Sequence, residues 1–108
     1  MYLLDEEYDF PTDAEIDAYV ERVKLTLFNW EHDINDCDDI AREFWCKSKV
    51  YFRAKKMNVA SAFVLRRSSA FSKAHALNFF IRKGDHRLVF IDNFKRVPWV
   101  GRAYLALI

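Results

Sequence analysis

The hydrophobic period of this chain changes once, near Lys55-Lys56, and that change limits its fold more than any other feature. Before it, Ile16, Tyr19, Val20, Val23, Leu27 and Phe28 recur at helical spacing. Cys37, Ile40, Ala41, Phe44 and Trp45 do the same further on. After it, 58–67 is rich in Val, Ala and Phe and reads as a strand. The stretch 74–82 alternates as a strand does, and 86–92 reads as its partner. Helices followed by strands give an α+β layout, with N-terminal helices packed on a small antiparallel sheet. At 108 residues there is room for a single domain, 1–108.

Local signals set the expected bounds. Residues 1–10 read as an arm or short edge strand, and Pro11 breaks the chain. Thr12-Asp13-Ala14-Glu15 is a capping box, which predicts a helix over 13–29. Residues 29–35 lose the period and read as a loop. Asn35 and Asp36 are both good N-caps for a second helix over 36–49, which ends in basic residues. The sheet is expected over 58–108. Lys83-Gly84-Asp85 marks its hairpin, 93–98 a loop, and 103–108 a closing strand.

Composition excludes several classes. Apolar residues make up 52% and aromatics 17%, with two Gly and two Pro, so the chain is neither disordered nor of low complexity. Cys37 and Cys46 are its two cysteines, too few for a disulfide scaffold. They stand ~13.5 Å apart along a helix and out of phase. A bond between them is not expected, and Cys46 is assigned to the core. The acidic start is unlike a signal peptide, and no apolar run approaches the ~18 residues of a membrane span. A cytoplasmic location away from membranes is expected. Charge is split along the chain, with fourteen acidic and three basic residues in 1–46 against two acidic and fourteen basic in 47–108. Either a charged partner or mutual neutralisation of the two parts would account for the split.

Three segments carry chemistry. Asp36-Cys37-Asp38-Asp39 puts a thiol at a helix N-terminus, Ala74-His75-Ala76 puts an imidazole at a strand start, and Ile91-Asp92-Asn93 puts a carboxylate at a strand end. A helix N-terminus and a nearby imidazole both favour the nucleophilic thiolate. A carboxylate on the adjacent strand holds the imidazole in one orientation. Asn78, three residues after His75, falls on the opposite strand face. Asp36, Asp38 and Asp39 oppose a thiolate by like charge. Either they cap helix amides, or Asp38 and Asp39 hold Ca2+ or Mn2+; otherwise no cofactor is expected. The basic segment 47–56, with Tyr51 and Arg53, suits a phosphate backbone or a solvated helix end.

These motifs resemble the papain-like and transglutaminase-like cysteine proteins. The likeness runs through Asp36-Cys37-Asp38-Asp39-Ile40-Ala41 and His75-Ala76-Leu77-Asn78 to Asp92. It is nearest to the protease domain of certain fungal agglutinins and to small phage proteins, and it covers roughly 35–93. The resemblance implies a minimal papain- or transglutaminase-like core, with Cys37 as nucleophile, His75 as base and Asp92 as orienter. Trp30, Asn35 and the Cys37 amide are the oxyanion candidates. The implied function is a cysteine hydrolase or acyl transferase acting on amide or ester bonds of a protein or peptide. The alternative is an inactive member of that fold that binds a protein, as a phage accessory or inhibitor does. Nucleic acid binding through 47–56 is a third reading.

Overall fold

The computed structural model describes residues 7–25, 37–67, 75–99 and 102–108. Two helices lie against one face of a five-stranded antiparallel sheet. The elements are α1 (Asp13–Lys24), α2 (Cys37–Arg53), β1 (Ser61–Arg67), β2 (His75–Ile81), β3 (Leu88–Asp92), β4 (Lys95–Val97) and β5 (Arg102–Leu107). Across the sheet the order is β4-β3-β2-β1-β5.

α1 begins where its capping box dictates. The Glu15 amide donates to Thr12 Oγ1 at 3.2 Å, and the Thr12 amide donates back to Glu15 Oε1 at 3.0 Å. Its apolar stripe of Ile16, Tyr19, Val20 and Val23 is buried against α2 and the sheet. Tyr19 packs its ring 5.0 Å from Phe44 and donates its hydroxyl to the Phe44 carbonyl at 2.5 Å. Burial, with a smaller contribution from Cys46, pushes the Tyr19 phenol far above its ordinary value. It therefore remains a neutral donor.

α2 reaches Arg53, beyond the expected end at 49. It closes in a left-handed C-terminal motif: Lys56 has φ 60, its amide donates to Arg53 O, and the Met57 amide donates to Phe52 O. Met57 packs back on the core at this corner.

β2 is the central strand, with Ala76 to Phe80 all buried. Ala76, Asn78 and Phe80 face the helices, while Leu77 and Phe79 face the second side. The second side is lined by Ala62, Val64, Leu77, Phe79, Ala106 and Ile108, with Tyr8, Phe90 and Trp99 packed on it. The arm residue Asp9 bridges Val59, by Asp9 N to Asn58 O at 2.7 Å and Ala60 N to Asp9 O at 2.8 Å.

The stretch 93–98 is not the expected loop. Asn93 and Phe94 both have positive φ, 49 and 68, which is the geometry of a two-residue hairpin turn. β4 then pairs back on β3 with Asp92 opposite Lys95. Asn-Phe is a weak turn signal, and the Phe94 ring is held 6.4 Å from Phe44 in the core. Cys46 is exposed, not in the core as assigned. It lies ~200° around the helix from Phe44, and Ser48 takes the inward position instead.

Candidate functional site

The candidate site forms where the start of α2 meets the open ends of β2 and β3. His75 is the first residue of β2 and Asp92 the last of β3. The register pairs Asn78 with Ile91 and Phe79 with Phe90, which leaves His75 diagonal to Asp92 on one face. Their side chains meet, with His75 Nε2 2.8 Å from Asp92 Oδ2. An ionised carboxylate only accepts, so Nε2 carries the proton and a neutral ring keeps its lone pair on Nδ1. The two groups are 30% and 26% exposed, so the pair is reachable from solvent.

Asn78, on the opposite, helix-facing side of β2, ties α2 to the sheet next to this pair. It is 4% exposed, and its Nδ2 donates to Ala41 O at 2.8 Å and to Ala62 O at 3.0 Å. One amide group therefore ties the first turns of α2 to β1. The cleft between them has a volume of about 160 Å3 and is lined by Ile40, Ala41, His75, Ala76, Leu77, Asn78, Asp92 and Asn93. That is below the roughly 300–1,000 Å3 of pockets that enclose a drug-sized molecule. It suits one end group of a ligand.

The structure brings together only some of the expected residues. Cys37 is the first residue of α2, and its side chain lies outside the described residues, as does that of Asp38. Trp30 and Asn35 also lie outside them. Asp39 forms an ion pair with Arg42, three residues on. Among the described residues no cluster of three or more His, Cys, Asp or Glu side chains could hold a metal ion. Tyr51 is half-buried, 5.2 Å from the Tyr19 ring and 5.0 Å from Phe52, with Lys55 Nζ over its face. Its place is in the core wall. Arg53 is exposed at the far end of α2, in a different groove. No described helix is long and apolar enough to cross a membrane.

Sequence reasoning did not assign Asn93 or the tethering role of Asn78. Asn93 has a signal, since Asn is the residue type that most readily accepts positive φ after glycine. Asn78 has none, because its partners are main-chain carbonyls on two other elements.

No protein-family model matches the chain, and no curated protein does. Solved structures do match. One is Polyporus squamosus lectin bound to the human-type influenza-binding epitope Neu5Acα2-6Galβ1-4GlcNAc, with a TM-score of 0.75 and 25% identity. The match covers 99% of this chain and 41% of that one. The other is a PSL1a-E64 complex, with a TM-score of 0.78, 24% identity and coverage of 99% and 42%. This chain thus spans less than half the length of these neighbours. Both neighbours are recorded with a bound ligand.

These neighbours correct the resemblance drawn from the motifs. The papain- or transglutaminase-like assignment, and the cysteine hydrolase, phage-accessory and inhibitor functions that came with it, are replaced by a likeness to lectin chains. So is the papain-like label on the fold: what is observed is a small antiparallel sheet with two helices, similar to part of a lectin chain. The physical reason lies in how little the motifs specify. Cys37-Asp38-Asp39, His75-Ala76-Leu77-Asn78 and Asp92 place a helix start beside two strand ends. Such short motifs fix a local juxtaposition and not a function.

Proposed function

We propose that this chain is a carbohydrate-binding domain that takes a terminal sugar in the His75–Asp92 cleft. The observation that supports it is the match of 99% of the chain, at 25% identity, to a lectin holding a trisaccharide. The cleft chemistry is compatible. Asp92 accepts hydrogen bonds from sugar hydroxyls, and the Asn93 amide offers a donor and an acceptor together. Ile40, Ala41 and Leu77 offer an apolar wall to the C–H face of a ring. Since the chain spans 41% of that lectin, the reading requires this part alone to hold the sugar.

The test is a calorimetric and NMR titration of the chain with Neu5Acα2-6Galβ1-4GlcNAc, with its separate sugars, and with E64. Saturable glycan binding that moves the His75 and Asn93 resonances is expected. Asn93→Ala and Asp92→Asn should each weaken it about tenfold, or ~1.4 kcal/mol. E64 binding at the cleft without glycan binding, or no binding at all, would sink the carbohydrate reading.

A further inference from the structure

A second, larger cavity lies elsewhere. It runs along the C-terminal half of α2, has a volume of about 800 Å3, and is lined by Trp45, Cys46, Lys49, Arg53, Lys56, Met57, Asn58 and Ile108. Its lining on α2 runs from Trp45 to Arg53, about 8 to 20 Å along the helix from Ile40. The volume falls inside the range of pockets that enclose a whole small ligand.

The charged side chains that the described residues bring to it are all cationic. Lys49 and Arg53 stand four residues apart and so share a helix face, and the left-handed turn at Lys56 brings a third cation to the same wall. Lys49 is fixed there: its Nζ donates to Val59 O at 2.6 Å and lies 5.1 Å from the Tyr8 ring centre. Among the described residues the lining includes no acidic side chain. Asp9, which lines the neighbouring cavity with Glu7, is engaged with the Asn58 amide at 2.8 Å, and the main-chain oxygen of Ile108 on the groove wall accepts from the Tyr8 hydroxyl at 2.8 Å.

The contrast with other arginines is informative. Arg42, Arg82, Arg87 and Arg96 each sit against an aspartate. Arg53 and Lys56 have no such partner among the described residues. Trp45, Met57 and Ile108 supply apolar surface between the charges. Two unneutralised cations, a third held in place and an apolar floor are what an anion with a ring-shaped body requires.

We propose that this groove binds an organic polyanion of a few rings, such as a sulfated or carboxylated oligosaccharide or a nucleotide. The site uses none of the residues of the His75–Asp92 cleft and does not depend on the carbohydrate reading of that cleft. Anionic groups sit on Arg53 and Lys56, with the body against Trp45 and Met57. Cys46 on the groove wall is covered when the site is filled.

The probes are a sulfated heparin tetrasaccharide and ATP, titrated into the whole chain by calorimetry. In parallel, iodoacetamide labelling of Cys46 is followed by peptide mass. At least one probe should bind and slow Cys46 labelling severalfold. Arg53→Gln with Lys56→Gln should weaken binding at least tenfold, while Arg53→Lys alone retains most of it. Lys83→Ala with Lys95→Ala removes the same charge elsewhere and should leave affinity within twofold. Which probe binds assigns the anion to sugar or nucleotide. No binding of either, equal losses in the two double variants, or binding without protection of Cys46 would overturn the proposal.

Discussion

Tyr19 joins α1, α2 and the sheet through one side chain. Its ring lies within 6.0 Å of Phe44, Tyr51, Phe52 and Phe80, and its hydroxyl is spent on Phe44 O. Because burial raises its folded value, the folded state keeps the proton that the unfolded state loses at about pH 10. The stabilising difference is intact below about pH 10 and is lost as pH rises above it, by up to ~1.4 kcal/mol per pH unit. Urea unfolding of the wild type between pH 8 and 11 should show that decline, and Tyr19→Phe should flatten it. At neutral pH the same variant should cost about 1 kcal/mol for the lost hydrogen bond. An unchanged slope in the variant would place the titrating group elsewhere. Tyr19 was legible as a stripe residue, whereas its partner was not, since Phe44 O belongs to a segment 25 residues away.

At the scale of elements, α2 is located by a few polar contacts set within apolar packing. Asn78 holds its N-terminal half. Near its middle, Ser48 Oγ donates to Trp45 O at 2.6 Å and lies 2.7 Å from Ser61 Oγ. Because Ser48 has one hydroxyl proton, Ser61 is the donor in the second bond. Trp45 Nε1 adds a bond to Ser61 O at 3.0 Å. Asn78→Asp places an acceptor against two carbonyls and should cost more than Asn78→Ala. The alanine variant should lose about 1–3 kcal/mol through unsatisfied groups. Chemical denaturation of the two variants checks the order, and an aspartate variant as stable as the alanine one would refute the tether. Helix starts were readable because capping is local: Thr12 and Glu15 are three residues apart. The β4 strand was not, because its turn runs through Asn93-Phe94 and is held by burial of Phe94.

Over the whole molecule, the split of charge along the sequence is partly resolved by contact. Asp13 and Asp17 on α1 meet Arg96 of β4, at 3.1 and 2.9 Å, and Asp13 also meets Arg82 at 3.1 Å. A hydrogen bond from Arg82, aided by the Arg87 amide, holds the Asp85 carboxyl well below the usual range. These pairs are largely exposed, so their worth is small. Arg96→Ala should cost less than about 1 kcal/mol in thermal unfolding at low salt, and the difference should shrink toward zero near 1 M salt. A loss of several kcal/mol would mean that Arg96 acts through packing instead. Asp13 and Asp17 are thus neutralised by the basic second part where α1 lies beside Arg82 and Arg96. Along the C-terminal half of α2, Arg53 and Lys56 have no carboxylate partner among the described residues.

What the sequence determined by itself was local. The capping box, the helical stripes, the change of period and the Gly84 hairpin each depend on residues within a few positions of one another. The order of His75 and Asp92 around that hairpin also made their meeting predictable, because a short turn sets the register. What only the tertiary structure decided depends on distant segments. Examples are the burial of Ser48 in place of Cys46, the tether from Asn78, the β4 turn, and the cationic groove built from α2 and the segment after it. Short motifs around Cys37, His75 and Asp92 pointed to one family, while the fold is similar to part of a lectin chain. The physical reason is one of range: a motif records which residues can meet, and only the packed chain settles what surrounds them.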